Sequence, residues 1–292
     1  MDPAVIRDQS LGGNGGESAK ALHDLVAITW DGKGVPHRLV CFDQTPAFDL
    51  LTLDYTGSAD SPSPLVEHHH FRSVKTEGKG ETFQVVADFL RNARRRYRYV
   101  GILDDDIILR VSDINYLLHV AGCFNLDSFA PSLGEDGFHS HVHTLRQDRR
   151  LLHPAPWVEV MMPFYKVELF EMAAPFFNLT ISSWGIDKYV IPLMQKIAGM
   201  PRTAVVDGIL ATHTRPIRSA GKRHSNGLSP FEEMDLVRER CIEYVEAHHP
   251  ELVRTRWFDE TFELLGPIAR LRRKLRLLRR GAPPPEWQWK AP

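Results

Sequence analysis

The stretch Tyr99-Val100-Gly101-Ile102-Leu103-Asp104-Asp105-Asp106-Ile107-Ile108-Leu109 sets three consecutive aspartates between two apolar runs. The run before the acids is typical of a buried strand. Adjacent carboxylates repel one another and burial raises their pKa values, so we expect a positive charge beside them. A hard divalent cation is the simplest candidate, at the carboxyl end of the strand where open α/β sheets bind ligands. The alternative is an acidic turn that closes the strand.

Composition places the chain of 292 residues among ordinary soluble globular proteins, with 43% hydrophobic and 25% charged residues. The formal net charge of -1 argues against a general nucleic-acid binder. Three widely spaced cysteines suggest neither a disulfide framework nor a zinc pattern, which favours a reducing, cytoplasmic setting. We expect no membrane span and no secretory signal, because the sequence contains no sufficiently long apolar run.

Short apolar runs separated by turns predict an α/β fold with a mixed, mostly parallel sheet flanked by helices. The glycine-rich residues 1–22 are expected to be flexible. A helix with Phe83 and Leu90 on one face follows a glycine- and lysine-bearing turn, and Ser112 is expected to cap the next helix. The predicted strands cover residues 24–30, 48–54, 71–74, 99–103, 129–133, 158–164 and 203–206.

The C-terminal segment 251–292 is predicted to be a basic tail outside the main domain. Residues 267–280 contain seven basic residues and no acids, with isoleucine and leucine side chains recurring on one helical face. A basic amphipathic helix suits an anionic membrane surface. The alternative is a solvated helix that packs on its own domain or on an oligomer partner.

Two further motifs follow the aspartates along the chain. The first is Trp184-Gly185-Ile186-Asp187, and the second is an apolar strand at 203–206 that leads through Asp207 to His213. With Asp104-Asp105-Asp106 before them, they resemble the DxD motif, the WGx(D/E) segment and the late histidine of GT-A-fold glycosyltransferases. The order and separations over residues 23–225 also resemble a GT-A-like family known as domain of unknown function 707.

The resemblance implies a metal-dependent glycosyltransferase of the hexosyltransferase type. It would move a sugar from a nucleotide-diphospho-sugar to a glycan or lipid-linked acceptor in surface polysaccharide synthesis. Its GT-A-like (Rossmann-like) domain would cover residues 23–250, with a nucleotide-binding half at 23–110 and an acceptor-binding half at 111–250. The protein would be cytoplasmic, in contact with the inner face of the membrane through residues 267–280. A nucleotidyltransferase of similar fold and a non-catalytic membrane-surface module are the alternatives.

The resemblance also implies a metal site. Asp106 and His213 would bind the ion, Asp104 would bind it or the ribose, and Asp105 would face the donor sugar or the acceptor. A metal ion neutralises the diphosphate that leaves the sugar. Aspartates suit Mg²⁺ or Mn²⁺, and a histidine ligand favours Mn²⁺.

Four residues are candidates for the acceptor side. An inverting transfer needs a general base for the acceptor hydroxyl, and the resemblance gives that role to Asp187, with Glu159 as a second candidate acid. A retaining transfer would leave Asp187 as an acceptor ligand. Trp184 and Gly185 would bind the acceptor, because an aromatic face can stack on a sugar ring. The alternatives are a helix cap for Asp187 and core packing for Trp184.

Five residues are candidates for donor binding besides Asp104. Asp54 follows the second predicted strand and is expected to contact base or ribose. Lys75 and Lys79 flank a glycine turn that resembles nucleotide-binding segments of related transferases. Lys222 and Arg223 belong to a basic loop with Arg215, Arg218 and His224, which we expect to close over the diphosphate. A solvated surface is the alternative for all of these cations.

Three alternating histidines, His139, His141 and His143, would share one face if they lay on a strand. Zinc could bind such a pair, but no cysteine or acid at a suitable spacing supports a structural zinc site. We therefore favour an acceptor-groove role for this cluster.

Overall fold

The computed structural model describes residues 23–216 and 221–264. The predicted flexible segment 1–22 and the predicted amphipathic helix 267–280 lie outside the described residues, as does Arg218.

Ten strands form one sheet within the described part of the chain. They are β1 His23–Trp30, β2 Val40–Cys41, β3 Asp49–Asp54, β4 His69–Ser73, β5 Tyr97–Leu103, β6 Ile107–Arg110, β7 Ser128–Leu133, β8 His153–Pro154, β9 Phe164–Lys166 and β10 Thr203–His213. Their order across the sheet is β2-β6-β10-β7-β9-β5-β1-β3-β4. Strand β8 pairs with β10 near its start, at Ala204 and Val205.

The sheet is mixed and mostly parallel, which confirms the predicted fold class. Strands β5, β1, β3 and β4 are parallel neighbours, whereas β9 lies between β5 and β7 and runs antiparallel to both. In the register of the sheet, Ile28 of β1 is level with Leu103 of β5 and with Thr52 of β3. The carboxyl ends of these strands therefore meet at one edge of the sheet, where Asp104 follows β5.

Helices cover both faces of the sheet. Their bounds are α1 Lys79–Asn92, α2 Val111–Phe124, α3 Val167–Ala173, α4 Ile191–Ala198, α5 Pro230–His248 and α6 Arg256–Thr261. Side chains alternate along β1, so Leu25 and Ala27 face one buried apolar cluster while Val26 and Ile28 face another. Helix α2 covers the second cluster, and the remaining five helices contribute to the first.

The strand predicted at 158–164 is wrong in its position. The backbone carbonyls of Met161 and Pro163 accept hydrogen bonds from Asp104 and Ile102, but the observed strand begins only at Phe164. Proline has no N–H to return a bond to β5, so regular pairing starts after it.

Two smaller predictions also need correction. Ser112 is not the cap of α2, because the cap is Arg110, two residues earlier, and the side chain of Asp113 accepts from the backbone N–H of Arg110. The three alternating histidines do not share a strand, since a short 3₁₀ helix covers Val142–Thr144.

The packed domain continues past the predicted boundary at residue 250. Phe258 and Phe262 have no exposed surface and belong to the first apolar cluster. The ring of Phe262 stacks on that of Tyr189 at 6.0 Å between centroids. Helix α6 therefore forms part of the core rather than the start of a tail.

Candidate active site

The three aspartates form a tight turn between β5 and β6. Asp104 continues the pairing of β5, because its N–H donates to the carbonyl of Met161 at 3.0 Å. The N–H of Ile107 then bonds back to the carbonyl of Asp104 and starts β6. The carbonyl of Asp106 accepts from both the N–H and the hydroxyl of Thr214, each at 2.9 Å. The turn is thus fixed against the end of β10.

Asp104 pairs with Lys79. The Lys79 Nζ lies 2.5 Å from Asp104 Oδ1, and the lysine side chain is 13% exposed. Lys79 is the first residue of α1, so the glycine-bearing turn before this helix places the lysine ammonium beside the aspartates. Burial raises the pKa of Asp104 to about 6, although the Lys79 ammonium opposes the shift.

Asp105 is held by three side chains from distant parts of the sequence. Its Oδ2 lies 3.0 Å from Arg215 Nη2 and 3.3 Å from Arg38 Nη2, and it accepts from the Tyr55 hydroxyl at 3.2 Å. Burial raises the pKa of Tyr55 to about 12, and the neighbouring carboxylate of Asp105 adds to the shift. The tyrosine therefore remains a proton donor at neutral pH.

Asp106 faces His213. The His213 Nε2 lies 3.4 Å from Asp106 Oδ2, and the His213 Nδ1 lies 3.0 Å from the carbonyl oxygen of Phe138. A carbonyl can only accept, so Nδ1 carries a hydrogen and Nε2 is directed at the carboxylate. Burial raises the pKa of Asp106, but the hydrogen bond and charge of His213, together with the charges of Arg215 and Lys79, outweigh it and the net shift is downward.

One oxygen of Asp106 lacks a hydrogen-bond partner among the described residues. Asp106 Oδ1 is buried, and no donor in residues 23–216 or 221–264 reaches it. A buried unpartnered carboxylate oxygen costs free energy unless a ligand or ion satisfies it. Taken with the orientation of His213 Nε2, this oxygen makes Asp106 and His213 a fitting pair of ligands for a divalent cation.

The protein itself offers an incomplete ligand set for a metal. Across residues 23–216 and 221–264, no group of three or more His, Cys, Asp or Glu side chains is arranged to hold an ion. Magnesium commonly uses one or two carboxylates together with the oxygens of a bound phosphate and water. Two protein ligands at the sheet edge are therefore consistent with an ion that binds together with its phosphate ligand.

Glu159 and Asp187 are two further acids that interact electrostatically with each other. Glu159 lies within electrostatic range of both Asp187 and His213, and its side chain is 8% exposed. Burial raises the pKa of Glu159 to about 7 and that of Asp187 to about 6, and the Asp187 charge adds to the Glu159 shift. The two carboxyl groups therefore hold and release protons near neutral pH.

The Trp184 motif packs against α5. Trp184 meets Phe231 edge-on at 4.9 Å between ring centroids and remains partly exposed. Gly185 has a φ of 92°, and a Cβ there would lie 3.0 Å from Val237. Glycine is thus required by the backbone at this position. A one-turn π-helix over Ile186–Val190 follows and carries Asp187.

Buried Glu233 of α5 ties the motif to the rest of the domain. It accepts hydrogen bonds from the hydroxyl of Thr180, from the N–H groups of Ile181 and Ser182, and from the amide of Asn226. The hydrogen bonds from the serine and the backbone outweigh burial and lower the pKa of Glu233. The carboxylate therefore stays charged and fixes the turn that precedes Trp184.

Comparisons with known proteins bear on the fold. The chain matches the crystal structure of GalNAc-T7 with UDP, GalNAc and Mn²⁺ at a TM-score of 0.51 and 14% identity, over 86% of this chain and 54% of that one. The chain has a GT-A fold. It spans about half of the GalNAc-T7 chain. Residues 1–349 of TarS from S. aureus in complex with UDP-GlcNAc match at a TM-score of 0.48 and 10% identity, over 77% of this chain and 67% of that one.

No family model matches the sequence, and no curated protein does so significantly. In the described ranges, no helix combines the length and the apolar character that crossing a bilayer demands.

The structure separates the predicted donor-binding residues. Lys79 reaches the aspartates, whereas Lys75 is exposed on the loop after β4. Asp54 has no exposed surface. Its carboxylate accepts hydrogen bonds from Thr56, Ser58, Ala59 and Ser73. These hydrogen bonds lower the pKa of Asp54 despite its burial. Asp54 therefore organises the loop after β3, and its placement does not support direct contact with a nucleotide.

The described part of the basic loop lies against α5 and against the turn before α1. Arg223 pairs with Glu232 at 3.2 Å and donates to the carbonyl of Gly227, and Lys222 is exposed. The Nδ1 of His224 lies 3.1 Å from a carboxylate oxygen of Glu77, two residues before Lys79. Among the described cations of this loop, Arg215 reaches the aspartates.

Arg38 and Tyr55 were missed at the sequence level. They lie 67 and 50 residues from Asp105, and neither belongs to a recognisable motif. The signal that could have found Tyr55 is its position directly after β3, the parallel neighbour of β1. Arg38 lies on an irregular loop, which carries no periodicity from which its direction could be read.

Proposed function

We propose that the chain is a metal-dependent glycosyltransferase that transfers a sugar from a nucleotide-diphospho-sugar. The observation that carries this proposal is the pairing of Asp106 and His213 at the carboxyl edge of a GT-A sheet, where Asp106 keeps a buried oxygen that no donor of the described residues reaches. The fold, the three aspartates and the Trp184 motif support the same activity. A divalent ion at this site would neutralise the diphosphate that leaves the sugar.

The residues around the ion have separate proposed roles. Asp106 and His213 hold Mn²⁺ or Mg²⁺, and Asp104 holds the ion or the donor ribose. Lys79, now paired with Asp104, supplies positive charge to the diphosphate. Asp105, held by its two arginines and Tyr55, orients the site toward the donor sugar.

The acceptor side is proposed to lie at Asp187 and Trp184. Asp187 takes the proton of the acceptor hydroxyl in an inverting transfer, and its raised pKa suits a base that works near neutral pH. Trp184 offers its partly exposed face to a sugar ring of the acceptor. Gly185 lets the backbone turn there.

Several finer features also belong to the proposal. The nucleotide-binding half is residues 23–110, and the acceptor-binding half begins at residue 111. Lys222 and Arg223 bind the donor from the basic loop, and Lys75 binds it from the edge of the donor site. The acceptor is a glycan or a lipid-linked glycan in surface polysaccharide synthesis. Membership of the family with domain of unknown function 707, and contact with an anionic membrane through 267–280, stay predictions.

The test is turnover of a panel of UDP-, GDP- and dTDP-sugars with Mn²⁺, measured as released nucleoside diphosphate. The wild-type chain is expected to hydrolyse or transfer at least one of these donors. The double variant Asp104→Ala, Asp106→Ala is expected to lose that activity, whereas Asp235→Ala, an exposed acid on α5, retains it. Turnover that persists in the double variant, or its absence from the wild type across the panel, would contradict the proposal.

A further inference from the structure

A path of ionisable groups leads from the acceptor side of the site to the surface. Its inner end is the buried Glu159, whose carboxyl group interacts electrostatically with the half-buried Asp187. No donor among the described residues reaches Glu159 Oε1, and the His141 Nε2 lies 3.7 Å from it. The His141 side chain is 45% exposed. One imidazole therefore joins a buried, unpartnered carboxyl oxygen to solvent.

The ring of His141 is held in this position by two aromatic neighbours. It stacks on His143 at 5.4 Å between centroids with an angle of 18° between the ring planes, and it meets Trp157 edge-on at 5.5 Å. Trp157 also packs against His143 at 4.6 Å. The orientation of His141 toward Glu159 thus comes from packing, with no need for a salt bridge.

Burial and the neighbouring charges favour the uncharged forms of Glu159 and His141. Burial and then the nearby charge of Lys188 lower the pKa of His141, and burial lowers that of His143 to about 4. Asp187 from the π-helix raises the pKa of Glu159, while His213 from β10 and the backbone of Ser140 and His141 lower it. The charge of His153 from β8 also lowers the pKa of His143. A carboxylic acid beside a neutral imidazole passes a proton readily, because neither direction of transfer is strongly uphill.

We propose that Glu159 and His141 carry the proton of the acceptor hydroxyl from Asp187 to solvent. This role rests on the proposed transferase function. The acceptor oxygen uses a lone pair to form the new bond to the anomeric carbon, and the bond from that carbon to the diphosphate oxygen breaks with its electron pair on the leaving group. The hydroxyl proton passes to Asp187, to Glu159, and to Nε2 of His141, which releases its Nδ1 proton to water.

Chemical rescue tests the role of His141 during turnover. With a UDP-sugar that the wild type hydrolyses, His141→Ala is expected to lower kcat by about tenfold with little change in KM. Free imidazole in the buffer should restore most of the loss, which a merely structural histidine would not allow. Val142→Ala, at a strongly exposed neighbour on the same loop, is the control and should need no rescue. A normal kcat in His141→Ala, or a loss that imidazole leaves unchanged, would overturn the relay.

A second measurement decides the pairing without turnover. The titration of His141 is followed by NMR in protein with labelled histidine, with the signal assigned from His141→Gln. In the wild type, the loss of the Glu159 proton near pH 7 is expected to appear as an additional step in the ring-nitrogen signals of His141, because Nε2 faces this carboxyl group, and Glu159→Gln should remove that step. Ring-nitrogen signals that titrate alike in the wild type and in Glu159→Gln would refute the relay even if no donor were turned over, whereas absent turnover with that difference present would refute only the transferase function.

Discussion

The acids of the site differ in what surrounds each carboxyl group. Asp104 has a lysine as its partner, Asp106 a histidine, and Glu159 has one buried oxygen that no donor in the described part of the chain reaches. Burial raises the pKa of both acids, but at Asp106 the hydrogen bond from His213 and the neighbouring positive charges together outweigh it, whereas at Glu159 burial prevails. Neighbouring carboxyl groups are thus adapted to different tasks, holding a cation and holding a proton.

Glu159→Gln is predicted to change how stability depends on pH. Burial raises the pKa of Glu159 from 4.5 to about 7, so the unfolded chain loses this proton first as pH rises between those values. The wild type therefore loses stability over this range, and the uncharged variant does not. We expect the variant to gain about 3 kcal/mol relative to wild type between pH 4.5 and pH 8. Urea unfolding at both pH values measures it, and an equal difference at the two would contradict the buried carboxyl.

At the scale of elements, the sequence predicted the buried strands well. The apolar runs that became β1, β3, β5 and β7 carry their own signal, because a strand buried on both faces reads as a continuous apolar run. The two-residue strands β2 and β8 are too short for any period, and Pro163 displaced the start of β9. In the site, the aspartates and His213 were visible as motifs. The contacts of Arg38 and Tyr55 depend on chain packing across long separations, which no local pattern records.

The first turn of α1 is predicted to tolerate no side chain at Gly80. A Cβ there would lie 1.8 Å from the carbonyl oxygen of Thr180, and Glu233 holds this segment by accepting from the Thr180 hydroxyl and from the N–H groups of Ile181 and Ser182. We expect Gly80→Ala to cost about 3 kcal/mol or more, because the contact is with backbone that cannot move aside. Asp88→Ala, on the exposed face of the same helix, should cost far less. Urea unfolding compares the two variants. Equal stabilities would show that the backbone can move aside for the added Cβ and would contradict the prediction.

At the scale of the whole molecule, one sheet separates two apolar clusters, and the aspartate turn lies where elements from both halves of the chain meet. The turn contacts Lys79 of α1, His213 of β10 and Arg38 of the loop between β1 and β2. The first cluster extends through α5 to α6. The geometry of the site therefore depends on helices that do not touch it.

Phe258→Ala is predicted to destabilise the entire domain. The side chain has no exposed surface and packs with Phe262, which in turn stacks on Tyr189. Removing a buried phenylalanine ring typically costs about 3–5 kcal/mol. Phe124→Ala, at a half-exposed position that ends α2, should cost below about 1 kcal/mol. Denaturant unfolding measures both, and a small effect at Phe258 would place α6 outside the core.

The central claim is that Asp106 and His213 bind a metal ion together with a nucleoside diphosphate. Calorimetric titration of UDP, GDP and dTDP into the protein, with and without Mn²⁺, measures this directly. We predict that Mn²⁺ strengthens binding of at least one of them by tenfold or more, on the order expected for one added ion contact. Asp106→Ala and His213→Ala should abolish that gain, while Asp235→Ala keeps it. Nucleotide binding that does not depend on Mn²⁺, or a gain in affinity with Mn²⁺ that persists in both variants, would contradict the account.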